Sequence, residues 1–125
     1  MHSIDLLESR QLVEVTLTGV IHYSERLDVL NGLLAAVART GFTKVLVTYR
    51  PNARIALEPY ERSSNIADAL AGHSLLSTCR MAYIAPVGGR LDLVTEMLAY
   101  ARGFAGRRFK HREDAIAWLC AAETA

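Results

Sequence analysis

The stretch KVLVTY, residues 44–49, decides the fold. Val45, Leu46 and Val47 follow one another without polar interruption, so an extended chain here is apolar on both sides. That pattern suits a strand covered on both faces, as in sheets whose parallel strands are joined by helical crossovers. Upstream, LVEVTLT (12–18) alternates Val13, Val15 and Leu17 with Glu14, Thr16 and Thr18. A period of two argues a half-buried strand. IDLLE (4–8) reads as its partner across Ser9, Arg10 and Gln11, and so short a connection joins antiparallel neighbours.

Between these strands and KVLVTY, Ser24 predicts an N-cap for a helix from about Glu25 to Thr40, with Glu25 in its first turn. The expected core stripe is Leu27, Leu30, Leu34 and Val37, widened by Leu33, and Gly41 stops the helix. Downstream, Pro59 opens a second helix that runs to about Ala71. CRMAYIA (79–85) is a further strand, closed by Pro86 and the Gly88-Gly89 pair. A third helix follows from about Arg90 to Phe104, then a short strand RRFK (107–110) and a final helix carried by EDAIAWLCAA. The expectation is one α/β domain over residues 1–125, of order ββαβαβαβα. Its mixed sheet starts with an antiparallel hairpin and continues in parallel strands with helical, right-handed crossovers.

Composition narrows the function classes. The 125 residues suit a single domain that buries roughly two thirds of its unfolded surface. A net charge of +1 gives no bulk electrostatic reason to expect nucleic-acid binding. No apolar run reaches the roughly 20 residues of a membrane span. The start MHSIDLLESR lacks the pattern of a secretory signal, and Cys79 and Cys120 form no CxxC pair. The expectation is a cytoplasmic protein with two buried thiols and no stable membrane insertion.

Three segments in this order carry a resemblance: KVLVTYR after a first helix, RMAYIAP before a third, and the ending RRFKHREDAIAWL. Together they resemble the STAS-like (SpoIIAA-like) family, which is related to anti-sigma-factor antagonists and compared with CRAL-TRIO lipid-binding domains. The resemblance covers most of the chain, and its motifs are structural rather than chemical. It implies a STAS-like fold and a non-catalytic binding or regulatory role, through protein partners or a small apolar, lipid-like ligand. Phosphorylation-switched STAS proteins are expected to carry an Asp-Ser pair just after a sheet strand. Here Arg50-Pro51-Asn52 stands in that place, and Ser63-Ser64 falls inside the predicted second helix. The resemblance therefore does not extend to that switch.

Two segments are candidates for anion binding. Arg50 and Arg54 follow the buried strand, where ligands gather in open α/β sheets, with Tyr49 and Tyr60 as flanking walls. A solvated loop with Ile55 and Leu57 tucked beneath it explains the same residues. Gly88, Gly89 and Arg90 open a helix after a strand, a place where backbone N–H groups meet anions. The spacing is neither GxGxxG nor a P-loop, and a tight turn explains the glycines as well. Together these segments define the alternative reading, a nucleotide or anionic-metabolite binder.

No histidine lies at metal-ligand spacing from another histidine or a cysteine, and no serine sits in a GxSxG elbow. No catalytic residue, metal or cofactor is therefore assigned, and a small hydrolase is the least favoured reading. The third helix carries a stripe of Leu91, Val94, Leu98 and Ala101 and another of Leu93, Met97, Tyr100 and Phe104. A helix apolar on two sides needs two covers. A neighbouring helix, a second subunit or a ligand fills that role, and of the two functional options a homodimer through Leu93, Met97, Tyr100 and Phe104 is preferred.

Overall fold

The computed structural model describes residues 1–85 and 98–121. Within them the chain forms a mixed five-stranded sheet in the order β1-β2-β4-β6-β7. These strands are β1 (His2–Leu7), β2 (Leu12–Leu17), β4 (Lys44–Tyr49), β6 (Arg80–Ile84) and β7 (Ala105–Phe109). β1 and β2 pair antiparallel, with Ile4 opposite Val15 and Leu6 opposite Val13. Every later pairing in this sheet is parallel, which places Val15, Val47 and Tyr83 in one row across three strands. A α/β fold with an antiparallel start is thus as the hydrophobic patterns predict. The expected helix over 90–104 lies largely outside the described residues, although 98–101 are helical.

β4 is central, and its residues 44–47 are buried as the unbroken apolar run requires, with Thr48 and Tyr49 half-buried. Val45 and Val47 join the larger core beneath α1 (Tyr23–Thr40) and α2 (Tyr60–Gly72), with Val13, Val15, Met81 and Tyr83. Leu46 turns to the opposite face, where Leu12 and Ala82 meet Ala115 and Leu119 of the last helix (Arg112–Ala121). The strand's period of two thus distributes one apolar run between two cores. On the second face the Arg80 guanidinium stands 3.9 Å from the centre of the Trp118 ring, and Phe109 packs on Trp118 at 5.6 Å between centroids. Arg112 pairs with Glu14, tying the last helix to β2.

Several local expectations change. α1 begins at Tyr23, with His22 rather than Ser24 at the N-cap position, and the His22 side chain makes no capping bond. Its buried stripe is Leu30, Leu33, Ala36 and Val37, whereas Leu27 is 38% exposed. The helix is therefore turned so that Leu33 faces the sheet more squarely than Leu27 or Leu34. Gly41 does end α1, at φ 74° with its N–H donating to the Val37 carbonyl oxygen at 2.8 Å. Pro59 is the N-cap of α2, one residue earlier in role than the predicted first helical position.

Two strands of two residues each were not expected from the sequence. β3 (Val20–Ile21) and β5 (Arg54–Ile55) pair in parallel as a separate small sheet. Backbone bonds run on either side of it: Arg50 N–H to Leu17 O, Arg54 N–H to Gly19 O and Ala56 N–H to Ile21 O, all within 2.8–2.9 Å. The segment after β4 is consequently bound along its length to the segment after β2.

Candidate functional site

A cavity of about 90 Å³ lies between the sheet and the two helices α1 and α2. Its floor is the row Val15, Val47 and Tyr83, the row Leu17 and Tyr49, and Met81 one step back. These positions lie toward the carboxyl ends of the parallel strands, the place where ligands gather in open α/β sheets. Arg26, Val29, Leu30 and Leu33 of α1 recur at helical spacing over it, joined by Ile66 and Leu70 of α2. Ile21 and Ile55, from the small sheet, complete the wall among the described residues.

Eleven of these fourteen residues are aliphatic or methionine, two are tyrosines and one is an arginine. The described lining holds no serine, cysteine, histidine or carboxylate. It can exclude water, accept an apolar group, and offer one guanidinium and two phenol side chains. Elsewhere, burial pushes the Cys79 thiol above its ordinary pKa, against a smaller lowering by Thr78, which leaves it a poor nucleophile at neutral pH.

Next to the cavity stands a charged cluster centred on Glu58. Its carboxylate accepts the Tyr23 backbone N–H at 2.7 Å, from a position 35 residues away, and pairs with Arg62 at 3.1 Å. Burial works against its ionisation. The Tyr23 N–H, the Arg62 guanidinium and the charge of Arg26 outweigh that effect and hold the carboxyl below the usual range. Arg26 and Arg62 also approach the Tyr23 ring, at 5.9 and 5.2 Å from its centre. Glu58 thus caps α1 from across the fold and fixes the turn of helix that carries Arg26.

A second carboxylate in that first turn is held separately. Glu25 pairs with the N-terminal ammonium and with His2 Nδ1, each at 2.8 Å. Burial opposes its ionisation too, yet those two partners bring its pKa down.

The sequence candidates fall into distinct places. Tyr49 lines the cavity. Arg50 and Arg54 are exposed, and among the described residues neither side chain takes part in an ion pair or hydrogen bond. Tyr60 is exposed at the start of α2. Of the residues expected under the loop, Ile55 does turn inward to the cavity, but Leu57 is fully exposed. Gly88, Gly89, Arg90, Leu93 and Met97 lie outside the described residues.

The proposed dimer stripe is divided by the fold, since Tyr100 is 74% exposed while Phe104 is 3% exposed and belongs to the main core. The serine pair lies within α2 as expected. Ser64 Oγ accepts a bond from Arg102 Nη2 at 3.3 Å, and Arg102 Nε also reaches Asp68 at 2.7 Å. Sequence reasoning missed Arg26, Glu58 and the wall Ile21. The alternation of exposed Val20 with buried Ile21 was the available signal, although two residues are too short a run to read.

Comparison with protein-family models matches none of them, and comparison with curated proteins returns no match. Among the described residues no helix is long and apolar enough to cross a membrane.

Proposed function

We propose that this chain is a non-enzymatic, STAS-like binding domain that takes a small apolar ligand into the cavity between its sheet and its first two helices. The observation that carries this reading is the cavity itself, at the carboxyl ends of the parallel strands and walled, among the described residues, almost wholly by aliphatic side chains. Its volume corresponds to roughly six water-sized groups, taking about 15 Å³ for each. A slender chain of five or six carbons matches that space.

The test is thermal stabilisation of the intact chain by a series of straight-chain primary alcohols from three to nine carbons. The stabilisation is expected to rise with length and level off near six carbons. It is expected to disappear in Val29→Phe, which fills the cavity from α1. Absence of stabilisation at every length refutes the reading.

The alternative anion site at Arg50 and Arg54 has less behind it, because both arginines stand on the solvent side of a segment whose backbone is committed to pairing. Self-association is a second proposal, supported by the exposure of Tyr100 at the end of the helical stretch 98–101.

A further inference from the structure

We propose that the outer side of the small sheet, with the loop that follows it, is a docking surface for an anionic membrane. This surface is independent of what the cavity holds. Ile21 and Ile55 line the cavity, so Val20 and Arg54, which pair across β3 and β5, are turned to solvent. Leu57 is fully exposed in the loop beyond, and Tyr60 is exposed at the start of α2. Seven large apolar side chains are exposed among the described residues, and Val20, Leu57 and Tyr60 bring three of them to this one part of the fold. Such clustering marks an interaction surface, whereas single scattered apolar residues do not.

Leu57 is held outward. The Ala56 N–H donates to Ile21 O at 2.8 Å before it, and the Glu58 carboxylate accepts the Tyr23 N–H at 2.7 Å after it. With both neighbours anchored, the leucine is buried only by something that arrives from outside.

The charges around it favour a lipid surface. Arg50 and Arg54 are exposed, and among the described residues neither side chain takes part in an ion pair or hydrogen bond. Glu58 is the one carboxylate between residues 50 and 60, and it is turned inward to Tyr23 and Arg62. The next acidic residue, Glu61, is exposed in the first turn of α2. Guanidiniums interspersed with apolar side chains suit the centre of a protein interface poorly, because charge is depleted there. An anionic bilayer takes both, since its headgroups meet the guanidiniums while Val20 and Leu57 enter the acyl boundary and the Tyr60 ring lies at headgroup level.

The experiment sediments the intact chain with phosphatidylcholine vesicles containing about 30% phosphatidylserine and with phosphatidylcholine alone. Binding to the anionic vesicles is expected to be about twenty-five-fold stronger, fivefold for each arginine. Arg54→Gln is expected to weaken it about fivefold, and Arg50→Gln combined with Arg54→Gln to remove most of the difference. Leu57→Asp is expected to weaken it by about tenfold or more. Arg39→Gln, at the exposed far end of α1, is expected to leave it within about twofold. All these side chains are exposed, and circular dichroism checks that each variant folds.

Equal binding to the two vesicles, or binding to neither, overturns the proposal. Equal losses from Arg39→Gln and Arg54→Gln assign the binding to overall charge and overturn this surface. A Leu57→Asp variant that binds like wild type overturns the entry of that side chain. Displacement of the unaltered chain from vesicles by soluble glycerophosphoserine assigns the arginines to a free anion and overturns the membrane as partner.

Discussion

Replacing Glu58 tests how far the loop after β4 controls the start of α1. Glu58→Ala removes the acceptor for the Tyr23 N–H, a negative charge at a helix N-terminus, the pair with Arg62, and a longer 3.9 Å approach to the exposed His22 imidazole, which adds little. A lost cap costs about 1 kcal/mol. The charge at the dipole adds about 0.5 kcal/mol. The pair adds about 0.3 kcal/mol at most, since the Arg62 side chain is 48% exposed and solvent screens it. The sum is about 2 kcal/mol, or about 6 °C in Tm for a domain of this size. Glu58→Gln keeps an acceptor and loses only the charge, so about 1 kcal/mol is expected.

The pH dependence separates these contributions. The folded pKa of Glu58 lies below its unfolded value, so its ionised form stabilises the native state above the unfolded pKa, and that stability is lost as pH falls through the folded pKa. Glu25 behaves in the same direction, but it is common to both proteins and cancels in the difference. Urea unfolding followed by circular dichroism should therefore show a constant gap between wild type and Glu58→Gln from pH 7 to about pH 5. The gap should then close in more acid solution. A gap that persists unchanged at about pH 2.5, or an alanine variant within about 0.5 kcal/mol of wild type, refutes the assignment of Glu58 as the cap.

Two further perturbations address packing and assembly. A Cβ at Gly32, in the middle of α1, would lie 2.6 Å from Ile4 Cδ1. The roughly 1 kcal/mol of helix propensity gained by Gly32→Ala is thus offset by displacement of Ile4, and the variant should be neutral or less stable than wild type. In an Ile4→Val background that atom is gone, and the same change should stabilise by up to about 1 kcal/mol in urea titration; destabilisation in both backgrounds would sink the argument. Tyr100→Asp places a charge at an exposed position, so stability should change by less than about 0.5 kcal/mol. Under the self-association proposal, light scattering should show the molar mass of this variant moving toward that of one chain. An unchanged mass with the fold intact counts against that face.

What the sequence determined by itself is the framework. The unbroken KVLVTY had to be covered twice, and both covers exist, α1 and α2 on one face and the last helix on the other. The alternation of Val13, Val15 and Leu17 and the short link across Ser9–Gln11 set the antiparallel start, because a period of two and a tight connection are local properties of an extended chain. Gly41 likewise marks its own helix end, since a left-handed residue there needs no distant partner.

Tertiary structure decided the site. Nothing near Tyr23 in the chain announces that its N–H is capped by Glu58, and Ser24, the expected local cap, lies inside the helix instead. The same capping fixes the turn from which Arg26 lines the cavity. The arginines most conspicuous in sequence, Arg50 and Arg54, face solvent because their backbones are held by β2 and β3, and that pairing turns Ile55 inward. A strand's own residues record which of its faces is apolar. Which helix roofs that face, and which charge it brings, depends on contacts between segments far apart in the chain, and periodicity does not encode them.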